Sequence, residues 1–341
     1  MTLHLSRRTP RRILAAALGL SLAVGLAACS SDNNSDNSDS VTSSASIGST
    51  DSTTAPEGYY PHTQETHYGD VSIKEQPERV VALTITAADQ LISLGITPIA
   101  VATLGGDKSK ALENSPWLAG KIEDKIHPEL LKDGKADPEA IAKMNPDLII
   151  GEKYTFPDKE TWDKVNLIAP AILPTYPDSS ARSIDWRDSL RSTAEPLGLT
   201  DKSAAIISDI EDKYRSSGLP EGKFTYNYMV FTNDEFSYGN GGPLDMLGLS
   251  ASPNQKNSVS GNTFSLENVN QIDGDLVIIL ATPQQQKDKL TSDRNFNDLE
   301  QTKRGSVLFA EFSEGAALNG GGPLALQWLL PRITPTIEKL K

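Results

Sequence analysis

The chain has 341 residues, 38% of them apolar, and a formal net charge of −13. This length is enough for two domains of ordinary size. The excess of acids argues against nucleic acid or an anionic lipid surface as the main partner, because both need a basic face. The single cysteine, Cys29, excludes an intrachain disulfide.

Residues 1–28 have the layout of a secretory signal peptide. Arg7, Arg8, Arg11 and Arg12 precede an apolar run that reaches Ala28. This run is too short and wrongly flanked for a membrane span. The export route, general secretion or twin-arginine, stays open.

The residues just before Cys29 read Leu-Ala-Ala, and this pattern resembles a bacterial lipobox. The resemblance implies cleavage before Cys29 and attachment of lipid, palmitate included, to its sulfur. Residues 29–57 are rich in Ser, Asp, Asn and Thr, so they bury almost no apolar surface. We predict a lipid-anchored disordered tether that holds an extracytoplasmic body at the bacterial cell membrane.

Strands and helices alternate through residues 58–182, which we interpret as an N-terminal α/β lobe. Apolar runs predict four strands, and Thr86 and Asp137 are candidate N-caps of the helices between them. The strands are predicted at residues 79–83, 99–102, 148–150 and 171–174. This alternation favours a parallel sheet.

Residues 183–217 lack strand patterns and predict a helical connector. Residues 201–216 have apolar side chains at helical spacing, and sixteen residues span about 24 Å at ~1.5 Å per residue. Strand patterns then return in residues 218–341, the predicted C-terminal lobe. The predicted fold class is α/β, with two Rossmann-like lobes joined by a long connecting helix and a ligand cleft between the lobes.

An internal repeat supports two similar lobes. The segment 137–150 aligns with 265–278, so that Glu139 meets Glu267 and two short apolar strands coincide. Each copy reads as a capped helix followed by a strand. Residues 91–96 are echoed by 244–249 in the same order.

Ligands of open α/β sheets lie at the carboxyl ends of the strands, so the loops there are the candidate binding site. These loops hold large aromatic side chains and several cations, a combination that suits an anionic ligand group. Taken singly, each aromatic is better explained by loop or core packing, and only the set as a whole favours a ligand cleft. The candidate ligand-binding residues are Trp117, Lys153, Tyr154, Tyr176, Arg182, Phe231, Tyr238, Arg294 and Phe312.

Signals for an enzyme are weak. The chain has neither GxSxG nor HExxH, and only His127 of four histidines lies within the body. We therefore expect no catalytic residue, no bound cofactor and no direct metal site. The sequences Gly241-Gly242-Pro243 and Gly321-Gly322-Pro323 do not match a phosphate-binding loop and are interpreted as helix starts. A glycosidase-type pair formed by Glu139 and Glu267 is a competing idea that the predicted topology disfavours.

Several features together resemble the iron-siderophore binding lipoproteins of ABC transporters, relatives of the ferric-enterobactin, ferrichrome and cobalamin binding proteins. They are the lipobox, the tether, Pro77 to Val81, PEAIAKMNPDLII, SLENVNQIDGDLVII and GGPLALQWLL. The resemblance covers nearly all of residues 66–335. It implies limited closure on binding, and it implies that Glu139 and Glu267 dock onto arginines of the permease. Each glutamate is also explained as a first-turn acid that its helix stabilises by about 0.3–1 kcal/mol.

The resemblance therefore implies a monomeric lipoprotein that captures a ferric siderophore and delivers it to an ABC importer. Two alternatives stay open: an extracytoplasmic enzyme acting on a chelate or sugar, and a surface protein that binds haem or cobalamin. The siderophore and the permease are not identified by the sequence.

Overall fold

The computed structural model describes residues 52–176, 184–257 and 263–341. These residues belong to one compact unit. The predicted signal peptide, Cys29 and most of the tether lie outside the described residues. Within the described residues, no helix combines the length and apolar character that a membrane span requires.

The N-terminal part is built on a small parallel sheet. An antiparallel hairpin of β1 (His62–Thr66) and β2 (Gly69–Ile73) precedes it. The sheet consists of β3 (Val80–Ala82), β4 (Ala100–Val101), β7 (Leu148–Ile150) and β8 (Ala171–Ile172), in the spatial order β4-β3-β7-β8. The short strands β5 (Leu131–Lys132) and β6 (Lys135–Ala136) form a separate hairpin.

Four helices surround this sheet: α1 (Ile85–Ser93), α2 (Lys108–Asn114), α3 (Pro138–Lys143) and α4 (Lys159–Asn166). Their starts are set by side-chain caps, as in many helices. Asp137 accepts the backbone N–H groups of Glu139 and Ala140, as predicted. The cap of α1 is Thr84, not the predicted Thr86, so α1 begins two residues earlier than predicted.

The connector is helical, as predicted, and its longer helix coincides with the predicted helix 201–216. α5 (Trp186–Ala194) and α6 (Thr200–Ser217) are separated by Gly198, whose positive φ of 68° ends the first helical segment. α5 packs against α1, and both connector helices pack against each other. The domain boundaries remain a prediction.

The C-terminal sheet is mixed. It consists of β9 (Phe224–Thr232), β10 (Glu235–Tyr238), β11 (Leu249–Ala251), β12 (Thr263–Ser265), β13 (Leu276–Leu280) and β14 (Val307–Ala310). β9, β13 and β14 are parallel, as in a Rossmann-like lobe, and β11 runs parallel to the start of β9. β10 and β12 add an antiparallel edge that the sequence analysis did not predict.

The helices of this part are α7 (Gln284–Ser292), α8 (Arg294–Asp298), α9 (Glu300–Arg304), α10 (Phe312–Gly320) and α11 (Pro323–Ile337). α7 and α8 lie in the polar stretch between β13 and β14. The apolar core of the N-terminal sheet continues into α11 and one face of the C-terminal sheet. A second core, rich in phenylalanine, fills the opposite face of the C-terminal sheet.

The internal repeat is visible in the hydrogen bonds. Asp147 accepts the backbone N–H groups of Glu78 and Arg79, both at 2.8 Å, at the start of β3. Asp275 accepts the N–H of Thr225 at 2.9 Å at the start of β9. Each aspartate therefore fixes the beginning of the neighbouring parallel strand in its own sheet.

The two copies differ in their helical part. The first copy forms the capped helix α3, whereas the second forms a 3-10 helix, Leu266–Gln271, with a kink at Asn268 and no side-chain cap bond from Ser265. The prediction of a capped helix in the second copy is therefore wrong. Ser265 lies in β12, and its hydroxyl accepts a bond from the Asn268 side chain instead.

Candidate functional site

A cleft lies between the two sheets, at the carboxyl ends of β3, β4 and β7, as expected for an open α/β fold. Its cavity volume is about 240 Å³. The N-terminal part contributes Leu83, Thr84, Ile85, Thr86, Asp89, Ala102, Thr103, Leu104, Ala111, Asn114, Ser115, Trp117 and Tyr154. The opposite wall consists of Phe312, Ala316, Gly320, Gly322 and Ala325.

Asp89 joins the two walls at the floor of the cleft. Its carboxylate accepts the backbone N–H groups of Leu324 and Ala325, both at 2.9 Å, at the first turn of α11. Ser93 donates a further bond at 3.2 Å. Burial raises the pKa of Asp89 to about 7, although these donors oppose the shift. The carboxylate thus acts as a cap supplied by α1 to a helix on the other side of the cleft.

Glycines allow this close approach of the two walls. A Cβ atom on Gly322 would lie 2.5 Å from the Asp89 carboxyl, and one on Gly320 would lie 2.9 Å from the Thr86 hydroxyl. The second Gly-Gly-Pro segment therefore starts α11, as predicted, and its small residues bring the backbone against α1. This contact, not a phosphate site, accounts for the glycines.

A second carboxyl group lies beside the cleft. Glu152 follows β7 and accepts a hydrogen bond from the Thr84 hydroxyl at 3.2 Å. Burial raises the pKa of Glu152, and Thr84 and Thr86 oppose the shift. The next residues along the loop lead to Tyr154, which is 45% exposed at the rim. Burial of its hydroxyl end, with Glu152 nearby, raises the pKa of Tyr154.

Polar atoms without partners also face the cleft. The hydroxyl oxygen of Thr103 is buried and has no hydrogen-bond partner among the described residues. The indole N–H of Trp117 lies beside Asp89 without meeting hydrogen-bond geometry. Both atoms are enclosed in the wall of the cleft and have almost no exposed surface, although buried polar groups are normally paired. The Trp117 ring lies 5.5 Å from that of Trp328 on α11.

Three of the predicted ligand-binding residues line this cleft. They are Trp117, Tyr154 and Phe312, and Phe312 is 50% exposed at the start of α10. Each follows a strand or a turn at the predicted end of its sheet. The structure therefore brings these three aromatic side chains together around one opening.

Lys153 and Tyr176 lie behind the lining. The Lys153 backbone N–H donates to the Tyr176 hydroxyl at 3.1 Å, and its ammonium group lies 5.2 Å from the centre of the Tyr176 ring. Tyr176 is itself buried, and burial raises its pKa. Arg182 lies outside the described residues.

The remaining three candidates lie away from the cleft lining. Phe231 and Tyr238 are buried in the second core, because β9 and β10 direct them into the phenylalanine-rich face of the C-terminal sheet. The Arg294 side chain is 95% exposed on α8 and lies 3.8 Å from Asp298. Phe231 and Tyr238 are therefore explained by core packing and not by a place in the ligand cleft.

Other lining residues escaped the sequence analysis. Asp89, Thr103 and Leu104 line the cleft, and Leu104 is 60% exposed. Thr103 and Leu104 directly follow β4, so their position at a strand's carboxyl end was a usable signal. No sequence signal marks Asp89 as a lining residue, because its hydrogen-bond partners on α11 lie more than two hundred residues later in the chain.

Glu139 and Glu267 are both exposed. Glu139 lies on α3 in a surface depression that also contains Lys132, Lys135 and Lys164. Glu267 lies in the 3-10 helix of the second repeat copy. Neither residue lines the cleft between the sheets.

Metal-ligand clusters were sought among the described residues. These residues contain no group of three or more His, Cys, Asp or Glu side chains that could hold a metal ion. The chemistry that the cleft offers consists of aromatic faces, hydroxyl groups and carboxyl groups.

Comparisons with known proteins agree with this architecture. The sequence profile of the periplasmic binding protein family matches residues 80–313. The probable siderophore-binding lipoprotein YfiY of Bacillus subtilis is 26% identical over 294 residues, which cover 79% of this chain and 85% of the relative. The putative ABC transporter substrate-binding lipoprotein YhfQ of the same organism is 25% identical over 235 residues, 62% of this chain and 68% of the relative.

Solved structures share the fold. A periplasmic solute binding protein from Mycobacterium smegmatis superposes with a TM-score of 0.65 at 20% identity, covering 81% of this chain and 97% of the other. Streptococcus pneumoniae PiaA in complex with ferrichrome superposes with a TM-score of 0.62 at 19% identity, covering 81% and 99%. At this identity the likeness concerns the fold alone.

Proposed function

The chain belongs to the periplasmic binding protein family, and on that premise we propose that it is a lipid-anchored, extracytoplasmic receptor that captures a ferric siderophore and delivers it to an ABC importer. The observation that carries this proposal is the cleft between the two sheets, with Trp117, Tyr154 and Phe312 around its opening. Aromatic rings give rigid contact area to a ligand that is itself bulky and partly apolar.

The chelator, not the protein, would hold the iron. The cleft supplies mainly aromatic and aliphatic surface, which suits the outer face of a chelator that has enclosed the iron. The enclosed volume of about 240 Å³ accommodates part of such a ligand. Exposed side chains at the rim, Leu104 and Tyr154 among them, would cover the rest.

The names of two relatives support the proposed ligand and anchor. YfiY is called a probable siderophore-binding lipoprotein, and YhfQ a putative substrate-binding lipoprotein of an ABC transporter. For this chain the anchor would be lipid on Cys29, and the folded body would act as a monomer without catalysis. A Cys29→Ser variant should move from the membrane fraction to the soluble fraction. Unchanged membrane retention would contradict anchoring through this residue.

Ligand binding is tested by titrating the protein with ferric and iron-free siderophores while tryptophan fluorescence is recorded. We expect saturable quenching by at least one ferric chelate, with weaker binding of the iron-free chelator and recovery of the chelate unchanged. Trp117→Phe should remove a large share of the quenching, because Trp117 lines the cleft. Trp162→Phe is the matched control, since Trp162 is buried against β8. Turnover of the ligand, or no binding to any ferric chelate, would contradict the proposal.

We also propose that Glu139 and Glu267 contact the permease, one from each repeat copy. Both are exposed and lie outside the cleft lining, so they are accessible to a partner while a ligand is bound. The double variant Glu139→Ala and Glu267→Ala should keep its ligand affinity and lose uptake in cells. Glu75→Ala with Glu300→Ala, two exposed acids elsewhere, is the control pair. A large loss of ligand affinity in the first pair would show that these glutamates belong to the binding site.

A further inference from the structure

The charge of the cleft points to the class of ferric chelate that it accepts, and this inference rests on the proposed function. Two carboxyl groups lie at its inner end. Asp89 is itself part of the lining, and Glu152 is bonded to the lining residue Thr84. An anionic ligand finds no lysine or arginine among the described lining residues, and each carboxyl that is ionised repels it.

Two of the three cations expected from the sequence, Lys153 and Arg294, are absent from the cleft lining, and Arg182 lies outside the described residues. The Lys153 ammonium lies over the Tyr176 ring, and Arg294 extends from α8 near Asp298. Arg187, at the other end of the interface between the sheets, is bonded to Asp185 and Glu211. The described residues that line the cleft carry aromatic, aliphatic, hydroxyl, amide and carboxyl groups, and include no lysine or arginine.

We propose that the cleft selects ferric chelates of neutral or positive net charge, of the tris-hydroxamate type, over anionic tris-catecholates and carboxylate chelates. Three hydroxamates, each with a single negative charge, neutralise ferric iron, so the complex enters without an uncompensated anion. Its bulky, uncharged periphery matches the aromatic and aliphatic side chains of the lining, Leu104, Trp117 and Phe312 among them. A protonated amine on the chelator would be attracted by Asp89 and Glu152.

Three forms of one chelator provide a test that varies only the charge. Ferrioxamine B carries an ammonium tail, its N-acetyl derivative is neutral and its N-succinyl derivative is anionic, while the iron-hydroxamate centre stays the same. Dissociation constants are measured by fluorescence titration at low ionic strength, where charge effects are least screened. We expect the succinyl form to bind on the order of tenfold more weakly than the ammonium form, a difference of about 1.4 kcal/mol. A ferric tris-catecholate should bind more weakly still.

Tighter binding of the succinyl form or of the tris-catecholate would overturn the inference and leave the proposed function intact. Failure of every ferric chelate to bind, whatever its charge, would overturn the proposed function and the inference with it. The two failures are therefore distinguishable in a single set of titrations.

A matched pair of variants locates the effect in the cleft. Leu104 is 60% exposed at the rim, and Leu167 is 87% exposed outside the lining. Leu104→Lys should reduce the preference for the ammonium form over the succinyl form several-fold, whereas Leu167→Lys, with the same change of charge, should leave that ratio unchanged. An equal shift in both variants would mean that overall protein charge sets the preference, and it would overturn a role for the cleft. Circular dichroism of both variants checks that they fold.

Discussion

Single carboxyl groups hold together parts of this molecule that lie far apart in the chain. Asp147 and Asp275 fix the starts of β3 and β9 within their own sheets. Asp89 bonds across the cleft to Leu324 and Ala325 on α11. All three accept hydrogen bonds from backbone N–H groups. A hydrogen bond to an ionised carboxylate is stronger than one between two neutral groups. These three carboxyl groups therefore stabilise the fold through their hydrogen bonds as well as contributing to its electrostatics.

Asp89 should make stability depend on pH in an unusual direction. Its pKa is raised from the ordinary 3.8 to about 7 by burial, so the folded protein binds this proton more tightly than the unfolded chain. Its contribution to stability is complete below about pH 4 and is lost as the pH rises towards 7, by at most about 1.4 kcal/mol per pH unit. Above that range it changes no further.

The test compares the free energy of unfolding of the native protein and of Asp89→Asn across this pH range, by urea denaturation. The variant should be less stable overall, because its amide N–H groups cannot accept both backbone bonds. The difference between the two proteins should shrink as the pH rises. Asp201→Asn, an exposed acid on α6, is the control. Parallel curves for the native protein and Asp89→Asn would contradict the assignment.

The residues that line the cleft were only partly predictable from the sequence. The location of Trp117, Tyr154 and Phe312 in the cleft lining could be predicted, because the local sequence indicates which residues follow a strand. Phe231 was misplaced, since an aromatic residue at the end of a strand can face either side of a sheet. Here β9 continues to Thr232 and buries Phe231 in the second core. Which face is covered depends on α7 and α8, whose packing the sequence does not reveal.

Among the structural elements, the internal repeat predicted where corresponding segments lie better than it predicted which type of helix they form. The two strands, the two aspartates before them and the two exposed glutamates were correctly placed in corresponding segments. The helix of the second copy is a 3-10 helix, whereas α6 coincides with the predicted connector helix 201–216. In the second copy a local choice at the helix start overrode helical spacing. Such choices differ by about 1 kcal/mol and are weakly encoded.

The repeated helix ends at Gly95 and Gly248 depend on glycine for different reasons. Both have a positive φ. A Cβ atom at Gly95 would meet only side-chain atoms, Thr53 at 2.8 Å and Lys202 at 3.2 Å, whereas one at Gly248 would lie 2.3 Å from the Leu219 backbone carbonyl oxygen. Gly222 has a similar φ of 69° and open space around it. Gly222→Ala should therefore cost about 1–2 kcal/mol of backbone strain. Gly248→Ala should cost a further 1–3 kcal/mol or so from the clash.

Urea denaturation of the two glycine variants measures this difference directly. Both substitutions add one methyl group at a left-handed residue, so the shared backbone term cancels in the comparison. Equal losses of stability would mean that the turn after the 3-10 helix Gly242–Leu247 relaxes without cost. That result would remove the close approach to Leu219 as a constraint on the C-terminal lobe.

For the whole molecule, the two-sheet architecture and its family were predictable because the alternation of strands and helices extends over most of the chain. The contact between the sheets was not. α11 lies at the end of the sequence and packs against α1, α6 and the 3-10 turn Pro116–Leu118. The Tyr214 hydroxyl on α6 also donates to the Leu326 carbonyl oxygen. These long-range contacts, in addition to the connector, determine how freely the walls of the cleft move.

These contacts predict limited closure on ligand binding. We expect the distance between spin labels at Ser72 and Asn295, both exposed and on opposite sides of the cleft, to change by less than about 2 Å when a ferric chelate binds. Cys29→Ser keeps the labelling specific, since Cys29 is the only cysteine. Asp89→Ala should broaden the distance distribution of the free protein, because α11 loses its cap from α1, whereas Asp201→Ala should not. A large shift in the native protein, or an unchanged distribution in Asp89→Ala, would mean that this bond does not restrain the two walls.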